Sequence, residues 1–223
     1  MSIEKDTLFP EVMHEMQKTR PWAILAAGAA IQVLTGLPAA WGVFQRPVME
    51  EYGLSEQGAG YAFGILIAAF GVGCVLGGFL QDSRGPRCAA LWGTALLCGG
   101  FFAAAILPGG SAISFFLAFS IPAGLGTAFL YPSIQSCAQK WYAGCKGLAT
   151  GVIGGAVGLS GAFLTVFVRT AVSGFGIVQG IRGAFWALGA ITLPVCLAGS
   201  LLLQDPPESR QNQQGSGKNE IDL

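Results

Sequence analysis

Six long apolar stretches, separated by short polar segments, organise the chain between Trp22 and Leu203. The stretches cover residues 22–44, 60–80, 88–107, 112–131, 147–168 and 184–203, and none of them contains Asp, Glu, Lys or Arg. A helix of about 20 residues crosses a bilayer core of about 30 Å. A charge at the centre of such a helix costs at least ~2.5 kcal/mol. The pattern therefore predicts an all-α membrane protein with six transmembrane helices.

Composition agrees with helices rather than strands. A membrane β-barrel needs short segments of alternating polarity, whereas these stretches are apolar on every face. The chain is 52% hydrophobic and 11% charged, and 34 of its 223 residues are Gly, which lets helices approach closely in lipid. The formal net charge is zero, so we expect a lipid bilayer as partner and no nucleic acid.

The polar segments define three regions and an orientation. Residues 1–21 form an N-terminal segment, residues 22–203 a transmembrane domain, and residues 204–223 a polar tail that we expect to be disordered. With the N-terminus in the cytoplasm, the inner side carries Lys5, Lys18, Arg20, Arg84, Arg87, Lys140, Lys146, Arg210 and Lys218, and the outer side only Arg46, Arg169 and Arg182. The positive-inside rule thus predicts that both termini are cytoplasmic. We expect the membrane to be the plasma (inner) membrane.

The cysteines give no sign of a metal site. The six cysteines lie in the spans or near their inner ends, without the spacing of metal ligands. We interpret them as small core residues in preference to a structural disulfide. No phosphate-binding loop is present, and we expect no cofactor and no enzymatic activity.

The loop between the second and third spans has a distinctive sequence, GFLQDSRGPR over residues 78–87. Gly78 allows close helix packing, Asp82 can accept hydrogen bonds, and Gly85 with the following proline produces a tight turn. Arg84 and Arg87 suit the cytoplasmic side. On its own the loop is equally well explained as an inside turn with arginines that follow the positive-inside rule.

This loop resembles the signature motif of the major facilitator superfamily, which also joins helices two and three on the cytoplasmic side. Gly78, Asp82, Gly85 and Arg87 occupy the motif positions, while Ser83 stands where a basic residue is usual and Arg84 follows it. The resemblance implies that this motif controls conformational gating. In the superfamily the Asp contacts the N-terminus of a helix in the second half of the protein.

A narrower resemblance, over residues 20–208, is to the oxalate/formate antiporters and the related monocarboxylate transporters. It rests on the Asp-x-x-Gly-Pro-Arg form of the loop and on several segments in the right order. These segments are IQVLTGLPAAWGVFQRP (31–47), YGLSEQGAGYAF (52–63), AGLGTAFLYPSIQSCAQKWYAGCKGLATG (123–151), IRGAFWALGAI (181–191) and LLLQDPPES (201–209).

The resemblance implies secondary transport of small organic anions by alternating access between two six-helix halves. This chain corresponds to the first half, and the resemblance places the cations that bind dicarboxylates in the second. We therefore expect transport of mono- or dicarboxylates such as oxalate, formate or lactate, together with a second six-helix half or as a homodimer. The alternative is a truncated or regulatory, non-transporting membrane protein that associates with a full-length transporter.

Five polar residues are candidates for substrate binding. Tyr131 matches a cavity-lining aromatic of the family, and Thr127 and Gln135 lie one turn on either side of it. Gln32 and Thr35 are the strongly polar residues of the first span. Tyr131 could equally sit at the inner membrane interface, and Gln32 and Thr35 could form hydrogen bonds between helices. The family resemblance includes Trp41, which we interpret as an interface residue at the outer end.

The fifth span is rich in glycine at intervals of three and four residues. Gly151 and Gly155, and likewise Gly154 and Gly158, form Gly-x-x-x-Gly pairs. We interpret them as helix-packing residues, either for a helix that slides or tilts during transport or for simple close packing in lipid.

The same span contains Gly158-Leu159-Ser160-Gly161, which matches the nucleophile motif of rhomboid intramembrane proteases. A serine nucleophile needs a general base within hydrogen-bond reach. The one histidine, His14, lies in the N-terminal segment, and no Lys lies in a span. We therefore regard a protease as the weaker hypothesis.

Overall fold

The computed structural model describes residues 21–109, 111–173 and 180–204. Within these ranges every regular element is helical and no strand occurs. The predicted N-terminal segment before residue 21, with His14, and the predicted tail from residue 205 lie outside the described residues. The fold is therefore all-α, as the apolar pattern predicts.

Eight α-helices build the described chain. They are α1 (residues 21–35), α2 (Leu37–Tyr52), α3 (Glu56–Arg84), α4 (Pro86–Ile106), α5 (Ala112–Phe115), α6 (Ile121–Trp141), α7 (Lys146–Ser173) and α8 (Gly180–Leu202). A π-helical turn, Phe116–Ser120, joins α5 to α6, and a 3₁₀ turn, Ala143–Cys145, precedes α7.

These helices form six spans that are long and apolar enough to cross a membrane. The spans run over Pro21–Tyr52, Glu56–Arg84, Pro86–Ile106, Ala112–Trp141, Ala143–Thr170 and Gly180–Leu202. Their number and order confirm the prediction, but several spans extend beyond the apolar stretches. The second span is 29 residues long. It begins after Ser55, which caps the helix by accepting a hydrogen bond from the Gly58 N–H at 3.1 Å. It ends only where Gly85 adopts a φ of 87°.

The second and third spans, α3 and α4, pack closely against α6. A Cβ atom added to Gly126 of α6 would lie 2.5 Å from the backbone nitrogen of Leu97 in α4. A Cβ atom on Gly93 of α4 would lie 2.8 Å from the Gly126 carbonyl oxygen. The two helix backbones are therefore nearly in contact, an arrangement that small residues permit in membranes.

An aromatic cluster fills the half of the bundle remote from the loop between α3 and α4. Phe119 lies at its centre, with ring centroids 4.9 Å from Phe185, 6.1 Å from Phe101 and 6.4 Å from Trp41. These residues come from four different spans, so the cluster ties the spans together. Trp41 is only 6% exposed. Its interpretation as an interface residue is wrong, because it packs inside the bundle against Phe119 and Phe63.

The second and fifth spans are the most open. Of their apolar windows only 17% and 28% is buried, against 56% for the first and third spans. On α7 the buried residues recur every three or four positions and occupy one side of the helix: Ala149, Ile153, Ala156, Ser160, Leu164 and Val168. The remaining sides of α7, and the corresponding sides of α3, have no neighbour in the described chain close enough to cover them.

Candidate functional site

The first span is interrupted at its midpoint, between α1 and α2. Gly36, with φ −73° and ψ 43°, is the non-helical residue, and it has 15 residues of the span before it and 16 after it. Pro38 lies two residues later and has no N–H to donate to the preceding turn. A proline also disfavours the α conformation at the residue before it. The sequence Gly36-Leu37-Pro38 therefore explains the interruption.

Two candidate substrate residues lie on the last turn before this interruption. The Thr35 hydroxyl donates to Gln32 Oε1 at 3.1 Å, and Gln32 is 1% exposed. The Gln32 amide nitrogen, Nε2, is buried and has no hydrogen-bond partner among the described residues. A buried N–H donor without a partner costs about 1–3 kcal/mol. The geometry thus leaves one strong donor available to an acceptor that the described chain does not supply.

Neighbouring glycines show which helices Gln32 faces. Gly28 lies against Ile134 of α6 and Ile153 of α7, and Gly36 lies against Ser160 of α7. Gln32 is four residues from each, so it lies on the same side of α1. Its amide is therefore level with the middle of α7 and with the middle of α6, the helix that carries Thr127 and Tyr131.

The three candidates on α6 do not share one environment. Thr127 is 4% exposed and its hydroxyl donates to the Ala123 carbonyl oxygen of its own helix at 2.8 Å. Tyr131 and Gln135 are half-buried, and the Tyr131 ring lies 6.3 Å from that of Phe70 in α3. Each step of four residues rotates the side chain by about 40°. The row therefore turns from the packed interior at Thr127 towards the open side at Gln135.

The loop between α3 and α4 divides into an exposed part and a part that binds the end of α8. Asp82 and Arg84 are exposed, and a Cβ atom on Gly78 would have no neighbour within 4 Å among the described atoms. Gly85 makes the turn with its positive φ. Arg87, in contrast, donates from its guanidinium to the Leu201 carbonyl oxygen in the last turn of α8. Helix ends leave such carbonyls without partners, so Arg87 caps α8.

A second side chain, which the sequence did not single out for this purpose, holds the same helix end. Trp141 Nε1 donates to the Gln204 carbonyl oxygen at 2.6 Å. The two residues are 63 positions apart, and no local pattern in the sequence indicates the contact. The path of the chain at residue 204 is therefore fixed by α4 and α6.

At the end of the bundle opposite the loop between α3 and α4, an ion pair connects the first and sixth spans. Arg182 Nε lies 2.8 Å from Glu51 Oε1, and the Arg182 guanidinium lies 5.9 Å from the centroid of the Tyr52 ring. The Tyr52 hydroxyl donates to the Ala104 carbonyl oxygen at 2.7 Å. These contacts hold three spans together above the aromatic cluster.

The six cysteines form no disulfide in the described chain. Cys98, Cys137 and Cys196 are buried, as expected for small core residues, whereas Cys145 is exposed in the 3₁₀ turn. Among the described residues, no three His, Cys, Asp or Glu side chains are placed to hold a metal ion.

Comparison with known proteins agrees with this architecture. The family model described as Major Facilitator Superfamily matches residues 18–222. The chain is also 30% identical over 188 residues to a Thermoproteus tenax protein named "Uncharacterized 38 kDa protein in 23S RNA operon". That match covers 84% of this chain and 48% of the relative, so the chain spans about half the length of the curated relative it matches. With six apolar spans and a family match over nearly all its residues, the chain belongs to the Major Facilitator Superfamily, a family of multi-pass membrane transporters.

Proposed function

We propose that this chain takes part in secondary active transport of small organic anions across the plasma (inner) membrane, by alternating access together with a second six-helix unit. The substrates would be mono- or dicarboxylates such as oxalate, formate or lactate. The observation that carries the proposal is the Gln32 amide, a buried donor without a partner among the described residues, beside the interruption at the midpoint of the first span. A carboxylate oxygen is an acceptor that would complete it.

At Gln32 the donor chemistry suits an anion better than a cation. The Gln32 oxygen already accepts from Thr35, so the side chain presents its N–H₂ group rather than its carbonyl. Tyr131 adds a hydroxyl that can donate from α6. These neutral donors would orient a carboxylate, while the resemblance to oxalate/formate antiporters places the charge-neutralising cations in a second half.

Open glycine faces on α3 and α7 support the presence of a second unit. On α3, Gly60, Gly64, Gly71 and Gly78 follow one another at four or seven residues and lie on one side of the helix. On α7, Gly151, Gly154, Gly155 and Gly158 also lie on one side of the helix, within about 100° of one another. A Cβ atom added to any of these eight residues would meet no atom of the described chain within 4 Å.

These glycines lie opposite the packed side of each helix. Lipid does not require small residues, whereas a second helix that approaches closely does. The packing that the glycines predict would therefore be with a second six-helix half or a second copy of this chain. Asp82 lies four residues after Gly78 on the same side of α3, so the gating motif would meet that unit too.

The second candidate function is a regulatory, non-transporting protein that binds a full-length transporter. The same open faces of α3 and α7 would serve that association, so the exposed surface does not distinguish the two candidate functions. Measuring transport by the reconstituted chain distinguishes them.

The test has two parts. The lipid-corrected mass of the chain in nanodiscs is expected to show a dimer or a stoichiometric complex with a second six-span chain. Proteoliposomes of that species are expected to take up labelled oxalate, formate or lactate, and Gln32→Met is expected to lower the uptake about tenfold or more, as for a lost hydrogen bond to a charged group. A monomer without uptake, which nonetheless binds a full-length transporter, would favour the regulatory function.

A further inference from the structure

Ser160 of α7 lies against the interruption of the first span. Its hydroxyl is completely buried and lies 3.2 Å from the Gly36 carbonyl oxygen and 2.5 Å from that of Val157 in its own helix. Gly36 and Ser160 are 124 positions apart in the chain. The hydroxyl proton is therefore shared between a carbonyl of the interruption and a carbonyl of α7.

The contact is also a close steric fit. A Cβ atom on Gly36 would overlap the Ser160 hydroxyl and lie 2.5 Å from the Ser160 Cβ. The next residue, Gly161, touches the other side of the interruption, since a Cβ atom there would lie 3.4 Å from the Ala39 carbonyl oxygen. Two consecutive residues of α7 thus hold the chain on both sides of the interruption.

We infer that Ser160 is a positioning residue, which fixes the end of α1 and thereby the direction of the Gln32 and Thr35 side chains. This inference rests on the proposed function, because that function makes these two side chains the ones that contact the anion. Thr35 immediately precedes Gly36, and Gln32 lies one turn earlier. Pro38 cannot donate to the last turn of α1, so this turn lacks a normal helical hydrogen bond. The Ser160 contact adds a restraint at the neighbouring Gly36 carbonyl oxygen, which also accepts from the Ala39 N–H at 3.1 Å.

The glycine-serine motif of the fifth span therefore has a structural explanation. The Ser160 hydroxyl is engaged with two backbone carbonyls in the described chain. The role of Ser160 is to hold the first span in position. Gly36 is required because only a residue without a side chain leaves room for the serine.

Hydrogen–deuterium exchange of the whole chain in nanodiscs tests the contact without any need for transport. Ser160→Ala is expected to raise the exchange of residues 33–41 roughly 2- to 12-fold, as for one lost hydrogen bond. Gly36→Ala is expected to raise it further through the clash. The double variant Gly36→Ala/Ser160→Gly is expected to return exchange to the level of Ser160→Ala, because the clash is removed.

Gly42→Ala is the matched control. Gly42 lies in the same span, and a Cβ atom there would have no neighbour within 4 Å in the described chain. Unchanged exchange of residues 33–41 in Ser160→Ala, or no recovery in the double variant, would overturn the inference whatever the transport result.

Uptake kinetics then separate positioning from simple stabilisation. In proteoliposomes, Ser160→Ala is expected to raise KM for labelled oxalate or formate severalfold and to leave kcat within about twofold, since binding geometry changes and transport steps do not. An equal loss of kcat and kcat/KM would contradict the positioning role. If the unaltered chain and its partner unit transport none of these anions, the proposed function fails, while the exchange result still decides whether Ser160 holds the first span.

Discussion

At the scale of single residues, Gln32 is the least ordinary member of the core. Its oxygen is bonded to Thr35 and its nitrogen is buried without a partner in the described chain. A buried polar group left unsatisfied costs about 1–3 kcal/mol, so a methionine or leucine would give a more stable bundle. An amide is therefore a poor choice for packing and a reasonable one for binding an acceptor. This conflict between stability and side-chain chemistry is typical of functional positions.

Replacing Gln32 by Met is expected to stabilise the chain and to weaken anion binding about tenfold or more. The unsatisfied nitrogen disappears, and the Thr35 hydroxyl can turn to a carbonyl of its own helix one turn earlier. We expect a gain of about 1 kcal/mol in the free energy of unfolding, which corresponds to a rise in Tm of about 2–4 °C for a chain of this size. Thermal unfolding in detergent and equilibrium binding of labelled oxalate are the two measurements.

Thr94→Val provides the matched control for this prediction. The Thr94 hydroxyl is buried but fully engaged, with the Ala90 carbonyl oxygen at 2.8 Å and the Ser200 hydroxyl at 3.3 Å. Its removal is expected to lower the free energy of unfolding by about 0.6–1 kcal/mol. If Gln32→Met destabilises the chain as much as Thr94→Val does, the Gln32 amide has a partner after all and the argument for a binding role fails.

At the scale of elements, the apolar pattern was sufficient to predict six helices in the observed order but not their ends. The predicted second span stops at residue 80, whereas α3 continues to Arg84. Hydropathy detects the membrane core, while a helix ends where its hydrogen bonding ends, here at Gly85 with its positive φ. The π-helical turn at Phe116–Ser120 and the interruption at Gly36 also escape hydropathy, because neither changes the apolar pattern.

The glycines that bring helices of this chain together are not the evenly spaced ones of the fifth span, whose packing role stays a prediction. The evenly spaced glycines of the fifth span touch nothing in the described residues, whereas Gly93 and Gly126 bring α4 and α6 into near contact. Spacing shows that glycines share a side of a helix, but it does not show which helix faces that side. Tertiary contacts decide this, as they do for Arg87 with Leu201 and Trp141 with Gln204.

Gly126→Ala is expected to destabilise the bundle. The added methyl group would lie 2.5 Å from a backbone nitrogen of α4, which cannot move without separating the two helices. Overpacking of this kind costs about 1–3 kcal/mol. Gly99→Ala on α4 is the matched control, because its methyl group would meet no atom of the described chain within 4 Å. Thermal unfolding checks both variants, and equal Tm values for the two would show that α4 and α6 are not in contact at Gly126.

At the scale of the whole molecule, the tightly packed half opposite the loop between α3 and α4 contrasts with two open sides. The aromatic cluster around Phe119 and the Arg182–Glu51 ion pair join the first, third, fourth and sixth spans. The second and fifth spans, in contrast, leave most of their surface uncovered by the described chain. Such a unit would move as one body and present α3 and α7 to a partner, which is the geometry that rocking of two halves requires.

Gly158→Leu on α7 is expected to weaken association with the partner unit without harming the fold of this chain. Its side chain would enter open space in the described structure, and leucine is the better helix former. Val152→Leu, about 120° around the same helix, is the control on the side expected to face lipid. The lipid-corrected mass in nanodiscs is expected to shift to the monomer for Gly158→Leu alone. Retention of the complex by both variants would exclude this side of α7 as the contact surface.

Asp82 belongs to this same scale, because its predicted contact is with the other unit. It is exposed at the C-terminal end of α3, in line with the open glycine side, while Arg87 of the same loop is engaged with α8. If Asp82 meets the N-terminus of a partner helix, the charge–dipole interaction contributes about 0.3–2 kcal/mol to one of the two transport conformations. Asp82→Asn is then expected to shift the ratio of inward- to outward-open states about 2- to 30-fold.

Hydrogen exchange of the inner and outer ends of α3 in the assembled transporter measures this shift. Exchange is expected to change at both ends, in opposite directions, because the two ends open in alternation. Ser83→Ala is the control, since the Ser83 hydroxyl donates only locally, to the Leu80 carbonyl oxygen at 3.2 Å, as far as the described contacts show. A uniform change along α3, or a change confined to residues 80–87, would mean that Asp82 stabilises the loop itself and takes no part in selecting the open side.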